Sequence, residues 1–137
     1  MAKGLSATQR TLRALRERGR ECAIVEKWNA FGGSNTKDET GEKKKRPGIR
    51  VDLFGIIDVL ALDPQRGVVG VQSCGSSFSE HFRKLTEEKC QETINWLSTP
   101  GTKLEIWSWR KVKLQRGGKA MRWSPRIREI TLEDVKG

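Results

Sequence analysis

Residues 50–62 read RVDLFGIIDVLAL, residues 63–67 read DPQRG and residues 68–72 read VVGVQ. Two runs rich in Val, Ile and Leu, separated by a turn of Asp, Pro and Gly, predict a hairpin of two strands. Near-continuous apolar residues imply that both faces of these strands are covered. Asp58 therefore stands where an ionised carboxylate is costly to bury. Asp52, six residues earlier, precedes Gly55 and reads as part of a turn, which makes Asp58 the stronger candidate for a working carboxylate.

Upstream of the hairpin, Leu5, Leu12 and Leu15 recur at helical spacing, Ser6 can cap the helix and Gly19 can stop it, so a helix is expected to about residue 18. Residues 22–28, CAIVEKW, read as a first strand. Residues 32–48 change to Gly, Ser, Asn, Thr and charge, a polar loop that ends in Lys43, Lys44, Lys45 and Arg46. Downstream, residues 75–79 break the second hairpin strand. Phe78, Phe82, Leu85, Cys90, Thr93, Ile94 and Leu97 then mark one helix, or two divided near Thr86. Residues 104–109, LEIWSW, alternate as a strand. Residues 116–119, RGGK, form a hairpin turn that joins residues 111–115 to 121–123, and residues 126–130 add an edge strand. The order is helix, three strands, helix, strand and a basic β-rich extension over residues 110–137, which predicts an α/β fold with a mixed sheet.

A length of 137 residues suits a single domain, residues 1–137. No apolar run of about 18 residues and no secretory signal is visible, so no membrane partner is expected and the expected location is the cytoplasm. Cys22, Cys74 and Cys90 are far apart and odd in number, which predicts reduced thiols. With His81 as the only histidine, histidine-rich metal sites are nearly excluded. Lys and Arg number 27 against 17 Asp and Glu, a net charge of +10 that favours a polyanionic partner, with nucleic acid foremost. Lys43, Lys44, Lys45, Arg46, Arg110 and Lys111 are candidate phosphate contacts, and Arg50 could touch a phosphate or pair with Asp52. Trp107 and Trp109 could stack on bases, although core packing is the commoner outcome for such a pair.

Asp58 and Gln72 lie 14 positions apart across the five-residue turn, one on each hairpin strand. A hard cation such as Mg2+ or Mn2+ takes oxygen ligands, and a carboxylate with an amide oxygen can offer them. The same pair reads equally as a buried carboxylate satisfied by backbone donors beside an ordinary strand glutamine.

A helix, a strand, a buried Asp in a hairpin, and a second strand ending in acid or Gln, any residue and Lys, before another helix, is the core pattern of the PD-(D/E)xK nuclease superfamily. Over residues 5–110 this chain resembles that group, which includes restriction endonucleases and Holliday-junction resolvases. In particular it looks like small phage and bacterial members with an RxDLFG segment and Gln in place of the second acid. The resemblance implies a restriction-endonuclease-like αβββαβ core and metal-dependent hydrolysis of phosphodiesters in DNA, including structured or branched DNA. It implies Asp58 and Gln72 as ligands of Mg2+ or Mn2+ and as catalytic residues, Glu17 or nearby Glu21 as a third acid, and a homodimer able to cut two opposed strands. Where the family has its lysine, this chain has Cys74. Lys84 from the following helix, or Lys27 from the first strand, is the expected substitute, and a non-catalytic nucleic-acid-binding protein with the same fold is the alternative.

The charge yields a first expectation. Affinity for duplex DNA should fall linearly with salt on logarithmic axes, and a flat titration removes nucleic acid as the partner. Replacing Lys43, Lys44, Lys45 and Arg46 by Ser should lower the slope by roughly 0.9 for each side chain that sits on a phosphate.

Overall fold

A computed structural model of the chain describes residues 4–29, 49–114 and 116–135. Helix α1, Ala7–Glu17, begins where a capping box satisfies its first amides: the Ser6 hydroxyl accepts from Gln9 N, and the Gln9 side chain accepts from Ser6 N. Its inward stripe carries Thr8, Thr11 and Leu15.

The expected strand over residues 22–28 is two strands in different sheets. Strand β1, Glu21–Ile24, joins the main sheet, whereas β2, Lys27–Asn29, pairs antiparallel with β3, Ile49–Val51. The break has an identifiable cause. Val25 and Glu26 both donate their N–H to the Asp58 carbonyl, at 2.8 and 3.3 Å, and this turns the chain out of the ladder.

The hairpin is formed by β4, Val59–Asp63, and β5, Gly67–Cys74, with Val59 opposite Val71 and Asp63 opposite Gly67. It starts later than its apolar run. Ile56 and Ile57 belong to a tight turn in which Leu53 N donates to Ile57 O at 2.8 Å and Gly55 N to Asp52 O at 2.9 Å. Helices α2, Phe78–Arg83, and α3, Cys90–Ser98, flank a π-helical turn, Lys84–Glu88, and this crossover carries the chain to β6, Thr102–Lys113, parallel to β5. The division expected near Thr86 is that π turn. Strand β7, Met121–Ile130, then pairs antiparallel with β6. The short pieces expected over residues 121–123 and 126–130 are one strand that runs through Pro125, which an edge strand tolerates because its outward N–H needs no partner.

The main sheet has the order β1-β4-β5-β6-β7 and mixes parallel with antiparallel pairs, an α/β arrangement. Strand alternation supplies two cores. Leu15 of α1 packs with Val59, Ala61, Val69, Val71, Trp107 and Trp109. On the other face Ile56, Ile57, Cys74, Leu85, Leu104, Ile106 and Ile130 cluster beneath α2 and α3. Burial on both faces holds along β5, whereas Leu62 at the far end of β4 is exposed. The two tryptophans are core residues, and Trp109 Nε1 donates to Thr11 Oγ1 at 2.8 Å. Among the described residues no helix is long and apolar enough to cross a membrane.

The turn into β5 depends on Gly67, whose φ of +111° disfavours any side chain and whose added Cβ would collide with the Gly101 carbonyl. Gly67→Ala should therefore destabilise by about 1–3 kcal/mol from backbone strain alone. At Gly75 an added Cβ meets nothing within 4 Å, so Gly75→Ala should stay within about 0.5 kcal/mol of wild type. Chemical denaturation of the two variants checks both values, and equal stabilities would contradict the packing described.

Candidate metal centre

The turn over residues 52–57 folds Asp52 back beside Asp58. Gly55, at φ +76°, permits the reversal, and Leu53 and Ile57 bridge across its base. The amides of Val25 and Glu26 on the Asp58 carbonyl bring a third acid to the same point. Carboxylate oxygens of Glu26, Asp52 and Asp58 all lie within 4.8 Å of one another, with Asp58 buried and the other two half-buried. Three hard oxygen donors at that spacing could hold a divalent metal ion.

Nitrogen donors surround the acids. Asp58 Oδ2 accepts from Gln72 Nε2 at 2.6 Å and from the Ser73 N–H at 2.8 Å. Asp52 Oδ2 accepts from Lys84 Nζ at 3.0 Å and from Gln72 Nε2 at 3.3 Å, and Lys84 Nζ also reaches Gln72 Oε1 at 3.4 Å. Lys84 opens the π turn, closed by the bond from Lys89 N to Lys84 O at 2.7 Å, and such turns alter the angular position of every side chain that follows. From the opposite side of the sheet, Ser73 is anchored to α1. Its hydroxyl donates to Thr11 Oγ1 at 2.8 Å, and Thr11 Oγ1 in turn donates to Ala7 O at 3.0 Å.

Burial pushes the Asp58 carboxyl from its ordinary 3.8 up to about 8, and Asp52 adds to the rise through hydrogen bonding and like-charge repulsion. The N–H groups of Ser73 and Gln72 offset only part of that. Burial also pushes Asp52 up, but hydrogen bonding with Asp58 and with Lys84, together with the ammonium charge, holds it below its ordinary value. The two carboxylates thus share one proton near neutral pH.

Of the residues singled out from the sequence, Asp58, Gln72 and Lys84 come together here. Asp52, read as a turn residue, is both that and a member of the cluster. Glu17 is elsewhere: it pairs with Arg13 at 3.4 Å on the exposed side of α1. At 3.6 residues per turn, position 17 points about 200° away from the buried Leu15. Glu21 pairs with Leu62, at the other end of the β1–β4 ladder from Asp58. The third acid is Glu26. Only its place two residues beyond the end of β1 distinguishes it, and that place depends on a pairing invisible in the local sequence.

Gln72 presents Nε2, not oxygen, to the carboxylates. In this arrangement its Oε1 faces Lys84, and the oxygens that converge are those of the three acids. Cys74 lies in the apolar cluster with Leu85 and Ile106, where a lysine ammonium would be desolvated. Lys27 lies on β2 and is exposed. Lys111 is exposed beside Trp123, with Nζ 5.4 Å from the ring centroid, and the Arg10 guanidinium is 3.8 Å from the same centroid. Arg110 is exposed on β6. Lys43, Lys44, Lys45, Arg46 and the side chain of Arg50 lie outside the described residues; among those described, the cation on Asp52 is Lys84.

No family model, curated protein or solved structure matches this chain.

The shared proton sets a pH dependence. Between 3.8 and about 8 the folded protein retains on Asp58 a proton that the unfolded chain has released, so stability falls as pH rises through that window and levels off above it. Asp52 has the opposite sign, and its contribution is lost in acid below its ordinary value. Without divalent ions the unfolding midpoint of wild type should fall from about pH 5 towards pH 8, and Asp58→Asn should remove that slope. A bound cation displaces the same proton, so affinity for Mg2+ or Mn2+ should rise over this range. Titration calorimetry in two buffers checks the proton release, and a midpoint that climbs with pH in wild type would refute the assignment.

Proposed function

We propose that this protein is a Mg2+- or Mn2+-dependent nuclease of the PD-(D/E)xK type, acting on phosphodiesters in DNA. The observation that carries the reading is the meeting of Glu26, Asp52 and Asp58 with the Lys84 ammonium, 3.0 Å from Asp52, at one end of the sheet. The fold supports it. In the main sheet α1, β1, β4, β5, the α2–α3 crossover and β6 follow one another in the αβββαβ order, and β2 and β3 form a separate small sheet.

In this reading Glu26, Asp52 and Asp58 hold the divalent cation, and the donor set fits it: hard oxygens, closely spaced, with one carboxylate driven to keep a proton by burial and by Asp52. When bound, the cation supplies charge neutralisation and Lewis acidity towards a phosphodiester. Gln72 and the Ser73 amide fix the Asp58 carboxylate, so little reorganisation is needed when a substrate arrives. Lys84, held by Asp52 and Gln72, offers its ammonium to the negative charge that develops on phosphate oxygens as water attacks. Cationic side chains, with Lys111 and Arg110 among those described and Lys43, Lys44, Lys45, Arg46 and Arg50 beyond them, bind the phosphate backbone. A second reading, a binding protein that has kept the fold and lost the chemistry, is favoured by the buried Cys74 at the position of the family's lysine.

Incubation with linear, nicked, single-stranded and four-way-junction DNA separates the readings. With Mg2+ or Mn2+ at least one substrate should be cut, and chelation should stop it. Asp58→Asn and Asp52→Asn should abolish cutting while DNA binding persists, and Lys84→Ala should slow it about 100-fold or more. A wild-type protein that binds DNA and cuts none of these substrates establishes the binding reading.

A further inference from the structure

The turn that carries Asp52 to Asp58 also carries Phe54, and nothing in the carboxylate cluster uses that residue. Phe54 is 61% exposed, more than any other large hydrophobic side chain among the described residues. It also holds φ at +56°, a left-handed conformation that Gly or Asn would adopt with less strain. An aromatic residue thus stands where packing gains little and the backbone resists it. Such positions cluster at binding sites.

Phe54 forms one wall of an open recess of about 230 Å³, lined also by Glu92, Asn95, Trp96 and Thr99. The ring centroids of Phe54 and Trp96 are 6.4 Å apart, tilted by 47°. Trp96 is a rigid wall. Its Nε1 donates to Lys103 O at 2.8 Å, and its ring sits against Gly70, where an added Cβ would come within 3.2 Å. The Lys89 side chain crosses Gly55 to reach Glu92, with Nζ 3.9 Å from its carboxylate. Lys84 and Lys89, the two ends of the π-turn bond, therefore flank the turn, one towards the carboxylate cluster and the other towards the recess.

We propose that this recess takes a nucleobase unstacked from the strand whose phosphate lies at the carboxylate cluster, with Phe54 as its stacking platform. The inference rests on the nucleic-acid reading above and adds a substrate preference to it. Reach supports it: Phe54 follows Asp52 by two residues, so their Cα atoms are at most about 7 Å apart, the scale of one nucleotide from phosphate to base. Size supports it as well. The recess is smaller than the roughly 300–1,000 Å³ of pockets for drug-sized molecules, and suits one planar ring system. The polar groups of Glu92 and Asn95 on its wall can bond to base edges, and the lysines beside the turn favour the attached polyanion.

The test is oligonucleotide binding by the full chain with Ca2+ present, comparing a mixed-sequence single strand with a fully paired duplex. Phe54→Asn removes the ring but suits the left-handed backbone, so the variant should fold at least as well as wild type. Its affinity for the single strand should fall roughly five- to a hundred-fold, the equivalent of one stacked base. Duplex affinity should stay within about twofold, and the salt dependence should be unchanged because no charge is lost. Phe54→Trp, which keeps a stacking ring, should hold single-strand binding near the wild-type level. Equal losses on both substrates, or none on either, would overturn the recess assignment, and if wild type still cuts DNA the nuclease reading survives. A wild-type protein that binds no oligonucleotide overturns both, and leaves the exposed ring to a protein partner.

Discussion

A carboxylate only 4% exposed, at the head of a central strand, sets the terms for its surroundings. Asp58 is desolvated and has Asp52 and Glu26 beside it, so the folded protein must supply donors, keep a proton or take up a cation. The chain does the first in part. Gln72 and the Ser73 amide reach one oxygen of Asp58, and Lys84 reaches Asp52. The close spacing of the three acids, with a proton kept on Asp58, makes the cluster a candidate for metal chemistry.

The other end of the same hairpin shows what a purely structural buried aspartate looks like. Asp63 is 5% exposed, but it is far less deeply enclosed by protein than Asp58, and its partners are cations and turn amides. Arg20 lies 2.5 Å from it, and Gln65 N and Arg66 N donate to the same oxygen. Burial raises its carboxyl, and these donors more than offset that and hold it below the ordinary range. Arg66 continues outward to Glu105 and Glu129 at 2.8 and 2.6 Å, tying β6 and β7 to the hairpin turn. One β4–β5 hairpin thus ends in an arginine-bridged ion network at Asp63 and in a cluster of adjoining carboxylates, one of them protonated near neutral pH, at Asp58.

Several features were legible in local sequence because local chemistry controls them. Ser6 with Gln9 forms the cap of α1, the DPQRG turn ends in a glycine with left-handed-region φ, and Asp58 and Gln72 face each other across the turn. Lys84 was within reach of inference because it follows the hairpin on the helical crossover, at the end of α2. Other features needed partners remote in sequence. The break between β1 and β2 is made by the Asp58 carbonyl, more than thirty positions away, and a run such as VEK carries no mark of it. Strand β7 continues through Pro125 because it lies at the sheet edge, a property of strand order rather than of the residues themselves.

The sequence by itself determined the α/β pattern, the hairpin, the basic charge and the cost of burying Asp58, because spacing, turn chemistry and composition act within a few residues. Only the tertiary structure decided which acids accompany Asp58. A carboxylate cluster is a coincidence of separate segments: a turn that returns Asp52, a backbone carbonyl that ends β1 at Ile24 and holds Glu26 beside it, and a crossover that brings Lys84 to Asp52. Glu17 and Glu26 are equally plausible as acids in the one-dimensional text. Glu26 is the one beside Asp58 because its own amide is bonded to the Asp58 carbonyl, whereas the helical period turns Glu17 towards solvent.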